Sequence, residues 1–107
     1  MKKAHLKDMQ RGWFIGDFDP AVLRTKAFEV GVMTHKKGEQ VTTHYHSIAT
    51  EYNVMLSGSM SVCGERIEAG TIFTIDTGEI VKPIFHEDCT ILCVKVPSIK
   101  GDKYEVL

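Results

Sequence analysis

The stretch that most constrains the fold of this chain is residues 38–58, GEQVTTHYHSIATEYNVMLSG, which places two histidines and a glutamate between two glycines. Successive side chains of a β-strand point to opposite faces of its sheet. His44 and His46 are two positions apart, so they project from the same face, and Thr42 shares that face. The sequence therefore predicts a strand that presents two imidazoles on one side.

A second strand is predicted to begin directly behind Glu51. The short SIAT connector before it is prone to turn, so an antiparallel return would carry the carboxylate back towards the two imidazoles. Two imidazoles and one carboxylate suit a first-row divalent metal and leave coordination positions for water or substrate. His44, His46 and Glu51 are therefore the candidate metal ligands, and Fe, Mn, Ni and Zn are the candidate metals.

The spacing of these residues resembles the first signature motif of the cupin family. Gly38, His44, His46, Glu51 and Gly58 are separated by five, one, four and six residues, and this spacing matches the motif without a gap. The resemblance implies a small cupin whose metal site lies inside a β-barrel.

The second motif of that family is incomplete in this chain. Gly70 and Gly78 keep a glycine turn followed by a strand, but Val81 stands where the resemblance places a third histidine ligand. Asp76 and Phe85 occupy the positions of its usual proline and asparagine. The turn and strand still support the fold, whereas the metal would keep only three ligands from the protein.

Neither of two nearby side chains is expected to replace the missing ligand. His86 lies five positions after Val81, and an odd separation points it to the opposite face of an unbroken strand. We therefore expect His86 at the surface. Glu79 precedes the strand and would reach the metal only if the chain bent.

The remainder of the chain is a series of short apolar runs. About eight of them occur at hairpin spacing without an amphipathic helix, which is typical of an all-β antiparallel sandwich or barrel. The pattern alone does not separate a jelly roll from other all-β folds. The cupin resemblance, which covers roughly residues 30–97, implies a cupin-type antiparallel jelly-roll barrel. We expect one domain over residues 1–107, with a core at about 26–97, an N-terminal arm and a C-terminal tail.

Charge and cysteine content exclude several classes of partner and site. The net charge of −1 gives no electrostatic reason to expect nucleic acid or an anionic membrane as a partner. Cys63, Cys89 and Cys93 are odd in number and lack CxxC spacing, which argues against a disulfide framework and a structural zinc site. Cys89 and Cys93 share a face and are interpreted as buried thiols. With no secretory signal or membrane span expected, a cytoplasmic location is predicted.

The inner face of the second strand suggests what a ligand would contact. Asn53 and Met55 follow Glu51 on that face, and Val81 would form an apolar wall where relatives place a ligand. Together with Thr42, these are the candidate cavity-lining residues. The expected ligand is small and polar or carbohydrate-like.

Three functions remain compatible with the sequence. The first is a metal-dependent enzyme, because cupins with such sites include dioxygenases, isomerases, decarboxylases and lyases. The second is a module that holds a small ligand without turnover, in which the histidines are cavity residues hydrogen-bonded to Glu51. The third is a metal-free assembly subunit. Small cupins resemble one another in pairing, so a homodimer is expected in each case.

Overall fold

The computed structural model describes residues 1–107 as ten β-strands and one short 3-10 turn, which confirms the predicted all-β class. It contains no helix with the length and hydrophobicity needed to span a bilayer. The elements are the turn Leu6–Asp8 and the strands β1 Trp13–Ile15, β2 Glu29–His35, β3 His44–His46, β4 Thr50–Ser57, β5 Ser59–Val62, β6 Glu65–Glu68, β7 Ile72–Ile75, β8 Ile84–Phe85, β9 Cys89–Val96 and β10 Lys103–Glu105.

The strands form two layers. Five strands make one sheet in the order β1-β2-β9-β4-β7, while β6-β5-β8 and the pair β10-β3 make up the other layer. An antiparallel bridge between His44 and Val81 joins the two parts of that second layer. Pairing between the named strands is antiparallel throughout, as expected for a jelly roll.

The core lies between the two layers and follows the period of the strands. On β9 the alternate residues Cys89, Ile91 and Cys93 are buried, which confirms that the two cysteines share an inward face. Both layers contribute to one apolar cluster, formed by Met55, Met60, Val62, Ile67, Ile75, Val81, Phe85, Cys89 and Ile91.

The segments outside the predicted core also belong to the sheets. In the N-terminal arm, β1 pairs with β2 at the edge of the five-stranded sheet. In the C-terminal tail, β10 pairs with β3, which sets Lys103 opposite His46 and Glu105 opposite His44. The tail therefore lies directly beside the strand that carries both histidines.

The two glycines that bracket the histidine segment sit in turns with positive φ. Gly38 has a φ of 76° and Gly58 a φ of 88°, a region that glycine adopts without the steric penalty of other residues. At Gly58 an added Cβ would also lie 2.2 Å from the carbonyl oxygen of Asp88. Gly58 is thus required both by its backbone angle and by the close approach of a neighbouring chain segment.

Candidate metal centre

The two histidines project from β3 into the barrel. His44 and His46 are 7% and 5% exposed, while Tyr45 between them points the other way and stacks on Tyr104 with ring centroids 5.3 Å apart. This alternation is what the period of a strand requires. The local sequence therefore delivers both imidazoles to the interior.

Backbone carbonyls fix the orientation of both rings. Nδ1 of His44 donates to the carbonyl oxygen of Thr42 at 2.7 Å, and Nδ1 of His46 donates to that of Asp102 at 2.8 Å. A carbonyl oxygen only accepts hydrogen bonds, so each Nδ1 carries a proton and each Nε2 is the nitrogen left to bind a metal. Burial lowers the pKa of His44, which favours the neutral ring that metal binding needs.

Glu51, at the start of β4, reaches the second of these rings. Its Oε2 lies 3.2 Å from Nε2 of His46, and its Oε1 accepts a hydrogen bond from the Cys93 thiol at 3.3 Å. Burial alone would raise the pKa of Glu51, but His46 and the positive charge of Lys95 outweigh it and hold that pKa below its ordinary value. The carboxylate is therefore ionised at neutral pH.

The contact between His46 and Glu51 requires a positive charge at the point where they meet. Nδ1 of His46 already carries a proton, so a neutral ring would direct the lone pair of Nε2 at a carboxylate oxygen. Either a second proton on Nε2 or a metal cation removes that repulsion. The observed separation of 3.2 Å suits either arrangement.

The structure does not bring all three predicted ligands to one point. No group of three His, Cys, Asp or Glu side chains is close enough to form a ready metal site. The rings of His44 and His46 meet edge to face with centroids 5.5 Å apart, and Glu51 pairs with His46 alone. The donor types, and a free Nε2 on each ring, fit a divalent metal, whereas gathering all three donors requires Glu51 or His44 to move.

Asp102 is a site residue that the sequence analysis missed. Besides binding His46 through its carbonyl, it is 6% exposed, and its carboxylate accepts hydrogen bonds from the backbone N–H groups of Ser47, Ile48 and Ala49 and from the Ser47 hydroxyl. Burial opposes ionisation, but these hydrogen bonds outweigh it and lower the pKa of Asp102. Asp102 therefore holds the connector between β3 and β4 and orients His46.

The four candidate cavity-lining residues have different environments. Met55 and Val81 belong to the apolar cluster, at 0% and 1% exposure, so they close the barrel behind the histidines. Thr42 precedes β3, its side chain is exposed, and it contributes its carbonyl oxygen to His44. Asn53 is buried on the inner face of β4, two residues beyond Glu51.

Asn53 is also the one polar side chain whose buried nitrogen has no partner. Its Nδ2 makes no hydrogen bond and is the only buried side-chain nitrogen or oxygen without one. An unmade hydrogen bond at a buried donor costs about 1–3 kcal/mol. The barrel therefore carries an unsatisfied donor on the same face as Glu51.

An open cleft of about 990 Å³ reaches the site at His46. The N-terminal arm, β2 and the C-terminal tail line it, and the lining includes Lys95 and Asp102. None of the four candidate cavity-lining residues borders this cleft. A ligand would thus enter past the arm and the tail and meet His46 first.

His86 and Glu79 bind other groups of the chain. His86 is half-buried, and its Nε2 lies 2.6 Å from the hydroxyl of Ser61. The carboxylate of Glu79 accepts a hydrogen bond from the backbone N–H of Asp76 at 3.0 Å. Neither side chain supplies a third ligand in place of Val81.

Comparison with known proteins gives matches of structure only. No family model and no curated protein matches the sequence. The polyketide cyclase RemF from Streptomyces resistomycificus has 17% identity and a TM-score of 0.75, and the match covers 100% of this chain and 86% of that chain. An uncharacterised conserved protein with a double-stranded β-helix domain from Klebsiella pneumoniae has 21% identity and a TM-score of 0.69, over 79% and 75% of the two chains.

A third similar structure carries the name of the fold family. It is a cupin-2 domain protein from Shewanella frigidimarina with 18% identity and a TM-score of 0.55, and the match covers 67% of this chain and 72% of that chain. At these identities the similarity establishes the fold. Together with the two-layered antiparallel barrel, it confirms the predicted architecture, and the chain has the double-stranded β-helix fold of the cupins.

Proposed function

We propose that this protein is a small metal-dependent cupin in which His44, His46 and Glu51 hold a divalent metal, with Fe, Mn, Ni and Zn as the candidates. A small polar ligand would complete the coordination. When bound, the metal would act as a Lewis acid towards an oxygen of that ligand.

The contact of 3.2 Å between Nε2 of His46 and Oε2 of Glu51 carries the proposal. Both atoms are acceptors while the His46 ring is neutral, because its proton is on Nδ1. A buried pair of acceptors that must share a cation is chemically suited to a metal. A metal-free pair would instead need a second proton on the ring.

Other residues of the chain would prepare the site before a metal arrives. The carbonyl oxygens of Thr42 and Asp102 set the tautomer and direction of the two imidazoles. The Cys93 thiol donates a hydrogen bond to Oε1 of Glu51, and Oε2 is the oxygen that contacts His46. Burial and the adjacent carboxylate raise the pKa of that thiol, so Cys93 remains protonated and acts as a donor rather than as a ligand.

An enzymatic role is the first candidate, and one structural neighbour of this chain is a polyketide cyclase. The second candidate is a metal-free barrel that binds a ligand without turnover. It remains a candidate because a proton on Nε2 of His46 would satisfy the same contact with Glu51. In either case the free state of all three cysteines supports the proposed cytoplasmic location.

Calorimetric titration distinguishes the two candidates. Chelator-stripped protein is titrated with Zn²⁺, Mn²⁺, Ni²⁺ and, without oxygen, Fe²⁺, beside the variant Glu51→Gln. We expect one ion per chain and a loss of at least about 10-fold in affinity for the variant, because a neutral amide is a poorer ligand. Absence of uptake by the unmodified protein would reject the metal-dependent function and leave the metal-free barrel.

A further inference from the structure

The buried amide nitrogen of Asn53 has no hydrogen-bond acceptor in the folded chain. In the β-ladders Asn53 lies opposite Cys93 on one side and Phe73 on the other. The Cys93 thiol already donates to Glu51, and Phe73 offers no acceptor. Glu51 accepts a hydrogen bond from Cys93 through one oxygen and contacts His46 through the other, and neither oxygen is bonded to Asn53.

The cleft that leads to the site favours an anionic ligand. Its lining contains five Lys or Arg residues and four Asp or Glu residues. Three of the acids, Asp17, Glu39 and Asp102, already bind other groups of the chain. Lys95 borders the cleft and lies opposite Glu51 in the ladder, so its charge is close to the place where the ligand would bind.

We propose that Asn53 donates its side-chain N–H to a carboxylate or carbonyl oxygen of the ligand, and that the site therefore selects small organic acids. Successive residues on one face of a strand are about 7 Å apart. Asn53 does not border the cleft, so a ligand of a few carbon atoms would pass His46 into the barrel interior to span from the side chain of Glu51 to that of Asn53. The placement of this ligand rests on the proposed function, since it assumes that the reactive end lies at His44, His46 and Glu51.

Asn53 is the only asparagine in the chain, which gives a direct probe. Selective ¹⁵N-asparagine labelling yields one side-chain amide group, seen as a pair of proton signals at a single nitrogen shift. Protein with and without Zn²⁺ is titrated with pyruvate and malonate, and with glucose as the carbohydrate alternative. We expect the amide signal to shift with the acids and to stay in place with glucose. A shift with glucose alone, or no shift with either acid in either form, would overturn the proposal.

The variant Asn53→Leu separates a ligand contact from a structural role. Because leucine removes a buried donor that has no partner, we expect the melting temperature to stay level or rise while the affinity for the acids falls at least about fivefold. Unchanged affinity would contradict the proposal, as would equal losses of stability and binding. Asn53 is not a proposed metal ligand, so the Zn²⁺ affinity of the variant should change less than about threefold. If the unmodified protein binds no Zn²⁺, the proposed metal site fails independently of this test of Asn53.

A different surface carries a second inference. The outward positions of β2, β4, β7 and β9 hold valine, isoleucine, leucine, tyrosine, threonine and, after a bulge in β4, Ser57. Tyr52 and Ile72 on this outer face are 48% and 76% exposed. An antiparallel sheet that faces water normally carries polar and charged residues on that side. The outer face of this sheet carries no charged residue.

We infer that a second copy of this chain covers the outer face. Strands about 4.8 Å apart with a rise of about 3.4 Å per residue give these four strands a flat footprint of about 400 Å². With the corrugation of the side chains and the adjacent Leu56, which is 52% exposed, the area approaches the about 600 Å² per partner of small specific interfaces. Because the face has no charge, two copies related by a two-fold axis would bring no like charges together.

Light scattering on purified protein tests this contact. We expect a mass of two chains of 12.0 kDa each. The exposed substitutions Tyr52→Glu and Ile72→Glu should give single chains, whereas Ile84→Glu, at a 52% exposed position of the other layer, should leave the pair intact. A single-chain mass for the unmodified protein, or dissociation by Ile84→Glu alone, would overturn the inference.

Discussion

The carbonyl oxygen of Asp102 accepts a hydrogen bond at 2.8 Å from Nδ1 of His46, a residue 56 positions earlier in the chain. The carboxylate of the same residue binds the backbone of the β3–β4 connector. One residue of the C-terminal tail thus fixes both the ring of a candidate ligand and the loop that leads to Glu51. The geometry of the candidate site depends on docking of the tail.

Replacing Asp102 should destabilise the fold and weaken the site together. Asp102→Ala leaves the N–H groups of Ser47, Ile48 and Ala49 without their acceptor, so the free energy of unfolding should fall by about 2 kcal/mol or more. Asp102→Asn keeps one acceptor oxygen, so its free energy of unfolding should fall by less than that of Asp102→Ala. Urea unfolding of the metal-free proteins measures both variants. Equal stability of all three proteins would contradict the role given to this carboxylate.

Acid should remove the same stabilisation. The folded-state pKa of Asp102 is lowered, so it lies below the value of about 3.9 in the unfolded chain. Its contribution is therefore complete above about pH 4 and is lost as pH falls through the folded-state pKa. Urea unfolding with chelator present measures the free energy of unfolding at pH 6 and pH 3. Between these two values it should fall less in Asp102→Asn than in the unmodified protein. Identical acid losses would exclude this contribution.

His44→Ala should lose most of the bound metal and keep the sheet. The imidazole is a candidate ligand, while the backbone of His44 pairs with Val81 through hydrogen bonds that do not involve the side chain. Metal affinity by titration and far-ultraviolet circular dichroism measure the two effects. His86→Ala is the matched control, because His86 binds Ser61 away from the site. Unchanged affinity in His44→Ala would remove this residue from the ligand set.

The three thiols should differ in accessibility. The thiol pKa is raised at all three positions, at Cys63 by partial burial and the carboxylate of Glu79, so exposure is what distinguishes them. Cys63 is exposed, whereas Cys89 and Cys93 are buried. A thiol reagent should therefore modify one cysteine rapidly in the folded protein and all three in denaturant. Cys63→Ser should abolish the fast reaction. Rapid modification of Cys93 in the folded state would show that the barrel interior is open beside Glu51.

The sequence predicted the part of the site that is local. The period of a strand places His44 and His46 on one face. The predicted antiparallel return does not form, because β3 pairs with β10 while β4 lies in the other sheet, from which Glu51 reaches His46 alone. The shared face of Cys89 and Cys93 follows from the same rule. The two same-face predictions are confirmed because each depends only on the alternation of side chains along one strand.

The rest depends on contacts between distant segments. Asp102 lies in a polar tail with no pattern of its own, so its role appears only once β10 pairs with β3. The closed environment of Met55 and Val81 results from packing between the layers, which alternation along a strand does not determine. The absence of a partner for the Asn53 amide is likewise set by its neighbours on β7 and β9.

Elemental analysis of protein purified without chelator or an affinity metal tests the central claim most directly, with His46→Ala prepared in parallel. The proposed site predicts near-stoichiometric iron, manganese, nickel or zinc in the unmodified protein and its loss in the variant, because His46 is the ring in contact with Glu51. Equal metal content in the two proteins would contradict the ligand set. No metal in the unmodified protein, together with no uptake on titration, would contradict the metal-dependent function itself.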